Sequence, residues 1–558
     1  MTNTRSDKTR EIGHSALVFF HGIGNPKKLG TLTTFLDEFD KYGSARNARN
    51  AQTLGVPRNF KHKIEEGKDG CSRSVIQFRR IKKFKDRDVQ VKIVRSYEGY
   101  WGDDLVKPIS VITFLFWLIK IIINSCGIAI APWRRYPLYR IRSLYLVDDL
   151  FSGSRSREKL EALYRKFGEA PQVSRWPRGR IKDFISFLET KDVQKHYGSY
   201  TSVAREWFAR ERRALTDFAC RMGGALIIMS SLVIAVWLTL WRTLDYFFDV
   251  AKFSSALSLG SATAVFFGMF WLLWQPIKQR ISDVYFWTSY DERSNGFSIR
   301  ERRIAQAESL ILDVLENPRC NDCIVIGHSL GSAISMEAVF RIADKINALD
   351  LADDERQARL ERFRKIKCVF LVGSPIDNIF SLFQEDSGVS RRYSRIQEQK
   401  APSIDRMAGQ CGFRGGEFAI VNIWSRFDPI SARIFSLRTP ANSTEKILYN
   451  SEGIPSGIPN PLSAHAGYFQ DERVMGEIYR TVMTSRFDPS KIRAEIIEVK
   501  VKRRMYITLI AISLSLIAII VANFMEFQFL ALGGLAALGL IMRTALKWYA
   551  RDLKECDG

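Results

Sequence analysis

The sequence predicts an α/β chain: a mostly parallel sheet with helices on both faces, interrupted and followed by transmembrane helical hairpins. Three observations carry this expectation. Short apolar runs rich in β-branched and aromatic residues recur at SALVFFHGIG (15–24), CIVI (323–326), CVFLVGSPI (368–376) and FAIVNIW (418–424), and they have the length of buried parallel strands. One of these runs is followed closely by apolar positions at helical spacing, SAISMEAVFRIADKI (332–346). Longer apolar stretches at 111–131, 223–241, 255–275 and 506–524 meet or approach the ~20 residues a helix needs to cross a bilayer, and a shorter Gly/Ala-rich stretch follows at 527–542.

The chain of 558 residues has room for an α/β domain of roughly 250 to 300 residues and a good deal more. Its formal net charge of +23 would suit nucleic acid or an anionic membrane surface. The apolar stretches decide between the two: a membrane explains both features, and nucleic acid explains only the charge. The N-terminus, MTNTRSDKTREIGH, has no apolar core, so no secretory signal is expected. Eight cysteines are scattered without a paired framework, which fits reduced thiols on a cytoplasmic side. Cys320 and Cys323 have C-x-x-C spacing, but no second pair is near and Cys323 begins a strand, so buried structural thiols are expected there and no metal. Internal repeats and low-complexity segments are absent.

The first strand run ends in His21-Gly22. A glycine there lets backbone approach a substrate, and the next amide, Ile23 N–H, can point inward as a donor. The run CIVI leads into Gly327-His328-Ser329-Leu330-Gly331. The spacing G-x-S-x-G gains its meaning from the strand before it and the helix after it, which place Ser329 on a tight turn. Gly327 and Gly331 give the turn room, and Leu330 N–H supplies a second donor for a developing oxyanion. A serine nucleophile needs a base. Of the six histidines (14, 21, 62, 196, 328 and 465), only His465 lies downstream of the acids that could orient it, in the loop PLSAHAGYFQD. Two acids follow late strands, Asp428 after FAIVNIW and Asp377 after CVFLVGSPI. Asp428 is preferred because strand, acid, loop and histidine then follow in order, with Pro429 fixing the loop.

The set VFFHGIGNP, IVIGHSLGS, VFLVGSP, NIWSRFDPIS and SAHAGYF resembles the α/β-hydrolase superfamily, and within it the lipase and serine-esterase branch, over roughly residues 12–100 and 295–490. The resemblance implies a catalytic triad of Ser329, Asp428 and His465, with no cofactor and no metal. YEGYW (97–101), after the strand VQVKIVRS, also resembles a motif of bacterial members, although the sequence assigns Glu98 no chemistry. The departure from soluble lipases is the placing of membrane segments inside the hydrolase domain.

That placing constrains topology. If the strand before residue 24 and the strand at 323 share one sheet, an even number of crossings separates them. Three apolar stretches lie between. The stretch 111–131, with Lys120 and the break Asn124-Ser125-Cys126-Gly127, is therefore read as re-entrant or interfacial, and 223–241 with 255–275 as the spanning pair. Arg205, Arg210, Arg212, Arg213 and Arg221 before that pair, and Lys278 and Arg280 after it, mark its ends as cytoplasmic. Lys502, Arg503 and Arg504, with Arg543, Lys547 and Arg551, do the same for a second hairpin at 500–545.

The expected organisation is then as follows. Residues 1–108 form the first part of the hydrolase domain, 109–131 the re-entrant segment, 132–221 a basic helical insertion, 222–276 the hairpin, and 277–490 the rest of the domain with a cap at 376–416. The insertion carries 20 basic and 11 acidic residues, enough excess to lie on anionic headgroups or simply to be solvated. The expectation is an integral membrane protein of a bacterial inner membrane or its equivalent, with a cytoplasmic serine hydrolase domain acting on a lipid or acyl ester. An anchored esterase or thioesterase with a soluble substrate, and a non-catalytic membrane scaffold or sensor, are the alternatives.

Overall fold

The computed structural model describes residues 13–22, 28–46, 52–66, 72–84, 87–101, 295–346, 352–376, 418–425, 428, 430–431, 443–448 and 465–487, with isolated positions elsewhere. The chain divides into two compact units. One comprises Met1–Ser110, Ile227–Ile379 and Ser403–Gly558, and the other Val111–Leu226 with Phe380–Pro402. All elements named below belong to the first unit. The expected apolar stretches, the basic insertion and nearly all of the expected cap lie outside the described residues. Among the described residues no helix is long and apolar enough to cross a membrane.

Eight strands form one sheet: β1 (His14–Phe20), β2 (Val56–Glu66), β3 (Ser72–Phe84), β4 (Arg87–Gly99), β5 (Cys320–His328), β6 (Ile366–Val372), β7 (Ala419–Ser425) and β8 (Ser443–Leu448). Their order across the sheet is β2-β3-β4-β1-β5-β6-β7-β8. β2, β3 and β4 pair antiparallel, and every pairing from β4 through β8 is parallel. The fold is therefore α/β with a largely parallel sheet. Its central strands are fully buried apolar runs because helices cover them on both sides.

On one face, Leu17, Phe19, Ile324, Ile326, Phe370, Val421 and Ile423 meet α1 (Gly30–Lys41) and a C-terminal helix, Glu472–Thr484. α1 reaches them through Leu32, Phe35, Leu36 and Phe39, spaced as one helical stripe. On the other face, α2 (Asn295–Glu316) and α3 (Leu330–Ile346) pack against β5, and α4 (Asp353–Phe363) packs against both of them. The C-terminal helix is α5. Residues alternate along each strand, so Val18, Val325 and Val369 point to this second layer.

The structure corrects three boundaries read from the sequence. The strand before Ser329 starts at Cys320 rather than Cys323, and the helix after it starts at Leu330 rather than Ser332. β8 intervenes between Asp428 and His465, which the sequence reading joined by a loop alone. Cys320 and Cys323 lie on β5 as buried free thiols, as does Cys368 on β6, and burial pushes all three up. Among the described residues no cluster of three or more His, Cys, Asp and Glu is placed to hold a metal ion.

β1 sits between β4 and β5, the point where the chain's path across the sheet reverses. In open α/β sheets the crevice outside the carboxyl ends at such a point is the usual place for a ligand. The ends of β1, β5 and β7 deliver His21-Gly22, Ser329 and Asp428 there.

Candidate active site

Ser329 follows β5 directly and has φ 53°, a left-handed backbone that costs a non-glycine residue on the order of 1 kcal/mol. The surroundings hold it in place. Ser329 N–H donates to Val372 C=O at 2.8 Å, and Ser329 C=O accepts from Ser332 N–H at 3.0 Å and from the Ser332 hydroxyl. Gly327 and Gly331 are required by space. A Cβ on Gly327 would run into Ser332 Cα and Gly331 C=O, and one on Gly331 into the carbonyl oxygens of Phe20 and His21.

His465 lies in helical backbone just ahead of the 3-10 turn Gly467–Gln470 and reaches Ser329 across 136 residues. Its Nε2 lies 2.7 Å from Ser329 Oγ, and its Nδ1 lies 2.8 Å from Asp428 Oδ2. With Nδ1–H donating to the carboxylate, Nε2 is the unprotonated nitrogen facing the hydroxyl. Asp428 is fully buried. Burial alone would push its carboxyl up. The His465 imidazole and donors from His465, Ile430 N–H (2.8 Å, to Oδ1) and the Tyr468 hydroxyl (2.8 Å, to Oδ2) outweigh that, so it titrates below the ordinary carboxylate value.

Two residues assigned no role from the sequence complete this arrangement. Tyr468, fully buried, donates to Asp428, accepts from Ser425 N–H at 2.9 Å and bonds Ser431 Oγ at 2.9 Å, tying the acid to the end of β7. Its phenol is pushed well up, first by burial and then by the Asp428 charge. Gly373 makes room for it: φ there is +63°, and a Cβ would meet the Tyr468 ring at 2.8 Å. His328, the variable residue of G-x-S-x-G, donates from Nε2 to His465 C=O at 3.0 Å, and its ring stacks 5.4 Å from the His465 ring. Tyr468 stands three residues after His465 and His328 one before Ser329. Proximity in sequence was the only signal for either.

Of the expected oxyanion donors, Leu330 is the first residue of α3, where helix geometry leaves amides without an intrahelical acceptor. Ile23 and Asp377 lie outside the described residues. Gly22, just before Ile23, comes so close to Ser329 that a Cβ on it would be 2.9 Å from the serine Cβ. His21 is buried, donates from Nδ1 to Gly22 C=O at 2.9 Å and stacks on Trp101.

Burial holds both His21 and His328 down to about 4, from an ordinary 6.5. The sign follows: between pH 6.5 and 4 the unfolded chain binds protons at these rings that the folded chain refuses. The stability they allow is complete above about pH 6.5 and is lost toward pH 4, on the order of 3 kcal/mol for each ring. His14, also lowered to about 4 by burial and nearby cations, acts in the same direction. The urea midpoint of the purified chain is expected to fall steeply over this window, and the fall to become shallower in His328→Phe. A midpoint flat from pH 7 to 4.5 would contradict the burial of these rings as neutral groups.

Comparisons of the chain with protein-family models, with curated proteins and with solved structures find no match.

Proposed function

We propose that this chain is a serine hydrolase of the α/β-hydrolase type that cleaves a carboxylic ester through an acyl-enzyme. The observation that carries this reading is the unbroken relay of Ser329 Oγ, His465 and Asp428, at 2.7 and 2.8 Å, on a serine held in left-handed backbone at the carboxyl end of a central strand. A core histidine satisfied by chance would not account for the strained serine, for the two glycines that make room for it, or for the three donors on the acid.

In this mechanism Ser329 Oγ attacks the ester carbonyl as its proton passes to His465 Nε2. Asp428 keeps the ring in the correct tautomer and stabilises the imidazolium. The amides of Leu330 and Ile23 receive the oxyanion. The C–O bond to the alcohol breaks as His465 returns the proton to the leaving oxygen. Water, activated by His465, then cleaves the acyl-serine ester and frees the acid.

The apolar stretches at 223–241, 255–275 and 506–524 support an integral membrane protein with this domain at the cytoplasmic face. A site held at a bilayer surface favours a lipid or acyl-chain ester, because drawing a long chain into water costs about 0.8 kcal/mol for each CH₂.

Membrane fractions treated with a fluorophosphonate probe provide the test. The native chain is expected to label, and Ser329→Ala and His465→Ala to lose labelling. A folded native chain that fails to label would sink the reading. In the same fractions a series of p-nitrophenyl esters is expected to favour acyl chains beyond about ten carbons.

A further inference from the structure

The serine turn carries a polar side chain where its strand pattern calls for an apolar one. Ile324 and Ile326 point to the face of the sheet covered by α1 and α5, and alternation puts residue 328 on the same face. That residue is His328, the last of β5, which β6 still pairs at Val372. An imidazole there gives up hydration that an isoleucine would not miss, so it needs a partner within the fold. Its Nε2–H finds one in the main-chain carbonyl of His465, at 3.0 Å.

This bond ties the general base to the serine turn a second time. Ser329 Oγ meets the His465 ring at 2.7 Å, and the residue just before the serine meets the backbone of that same histidine. With Asp428 at Nδ1 and Ser329 at Nε2, the His465 ring is held at two points, which leaves it free to pivot about the line between them. The carbonyl bond removes that freedom. The His328 ring backs it, stacked 5.4 Å from the His465 ring with planes inclined by 28°, and Phe469 closes edge-on against His328 at 5.3 Å. Base and nucleophile are thus referred to one turn, the one that holds Ser329 at φ 53°.

The surroundings also keep His328 neutral. Burial, then the neighbouring His465, outweighs the His465 carbonyl and the Asp428 charge, which favour a proton, and with His21 acting in the same sense holds the ring at about 4. A neutral ring can stand beside the imidazolium that forms on His465, whereas a second cation in the stack would oppose it.

We propose that His328 is a positioning residue for the general base: by gripping the His465 carbonyl it stops the catalytic ring from pivoting and keeps Nε2 aimed at Ser329 Oγ. The inference rests on the serine hydrolase reading and leaves every proton transfer with His465. It assigns to the residue before the nucleophile the orientation of the base.

The test uses the full chain in detergent and a fluorophosphonate probe at several pH values, separating the limiting inactivation rate constant from the half-saturating probe concentration. His328→Phe keeps a stacked ring and loses the donor, His328→Gln keeps a donor and loses the ring, and His328→Ala loses both. The Phe and Ala variants are expected to lower the rate constant about 10- to 100-fold with half-saturation nearly unchanged, since a small misplacement of a catalytic group is enough. His328→Gln is expected to recover most of the rate lost in His328→Ala. The pH of half-maximal rate should stay at its native value in all three, because aim and not basicity has changed. If the alanine variant does not fold, a Phe variant slower than the Gln variant is the expected result.

A Phe variant that reacts at the native rate overturns the role, and so does a Gln variant as slow as the Ala or Phe variant. A half-maximal pH displaced by about a unit or more overturns it as well, because His328 would then act on the proton affinity of His465 and not on its position. A native chain that does not label removes the hydrolase reading and the positioning role with it. A labelled native chain with unaffected variants removes the positioning role alone.

Discussion

Asp428→Asn is expected to lower ester turnover at neutral pH by about 10³- to 10⁴-fold, with KM nearly unchanged and the fold intact. The reason lies in how the carboxylate is surrounded. Oδ1 accepts from Ile430 N–H, and Oδ2 accepts from both His465 Nδ1–H and the Tyr468 hydroxyl. Every neighbour is a donor, which only an ionised carboxylate satisfies on both oxygens. An asparagine amide must turn its NH₂ one way or the other. Facing Ile430, it sets donor against donor in a buried site. Facing His465, it turns the ring to the tautomer with Nδ1 bare and Nε2 protonated, and Nε2 can then accept nothing from Ser329. The first arrangement keeps the tautomer but is disfavoured by the clash of donors, so the second, which removes the base without removing the histidine, prevails. Turnover of Asp428→Asn should recover in part at high pH, where hydroxide relieves the need for a base, and His465→Ala should be inactive across the range. Tyr468→Phe removes one of the donors and is expected to cost about 10-fold. Asp377→Asn serves as the control and is expected to leave turnover essentially unchanged. If it matches Asp428→Asn, the assignment of the acid is wrong.

The parts of this site legible in the sequence share one physical property. β1, β5, β6 and β7 are buried on both faces, so their sequences are continuous apolar runs, and each is punctuated by a glycine, serine or charged residue where the chain leaves the sheet. Those exits carry Ser329 and Asp428, and His465 is legible only as the histidine that lies downstream of them. β2 and β3 were not legible. β2, VPRNFKHKIEE, forms an exposed edge, and the charges that keep such an edge from pairing with other chains also disguise it as a loop. β8, STEKIL, is short and polar for the opposite end of the sheet. Tyr468 and His328 stayed hidden for another reason. What each does is defined by a partner 37 to 137 residues distant. Residue type and spacing carry no record of such a partner until the sheet order is known.

Sheet order also decides how the motif glycines respond to substitution. Gly331→Ala is expected to be among the most damaging single-methyl changes in the chain. The added Cβ would fall well inside the 3.0 Å that real Cβ atoms essentially never cross, against Phe20 C=O and His21 C=O together. Both obstacles are backbone, and both belong to the end of β1, which β4 and β5 hold from either side. No rotamer change relieves the clash: α3 must lift from the sheet, or the end of β1 must move with the segment that follows it. Overpacking of this kind costs about 1–3 kcal/mol where side chains can give way, and more where they cannot. Gly476→Ala provides the contrast. Its Cβ would meet the Tyr42 hydroxyl at 2.7 Å, a side-chain atom rather than backbone, so a smaller fall in melting temperature than for Gly331→Ala is expected. The two variants differ from their parents by the same methyl group on a helix. A backbone clash predicts that Gly331→Ala either fails to accumulate or, if it folds, reacts with a fluorophosphonate far more slowly than its melting temperature alone would suggest, since His21 and Gly22 move away from Ser329. Equal melting temperatures and equal labelling in the two variants would mean that β1 and α3 do not pack as described.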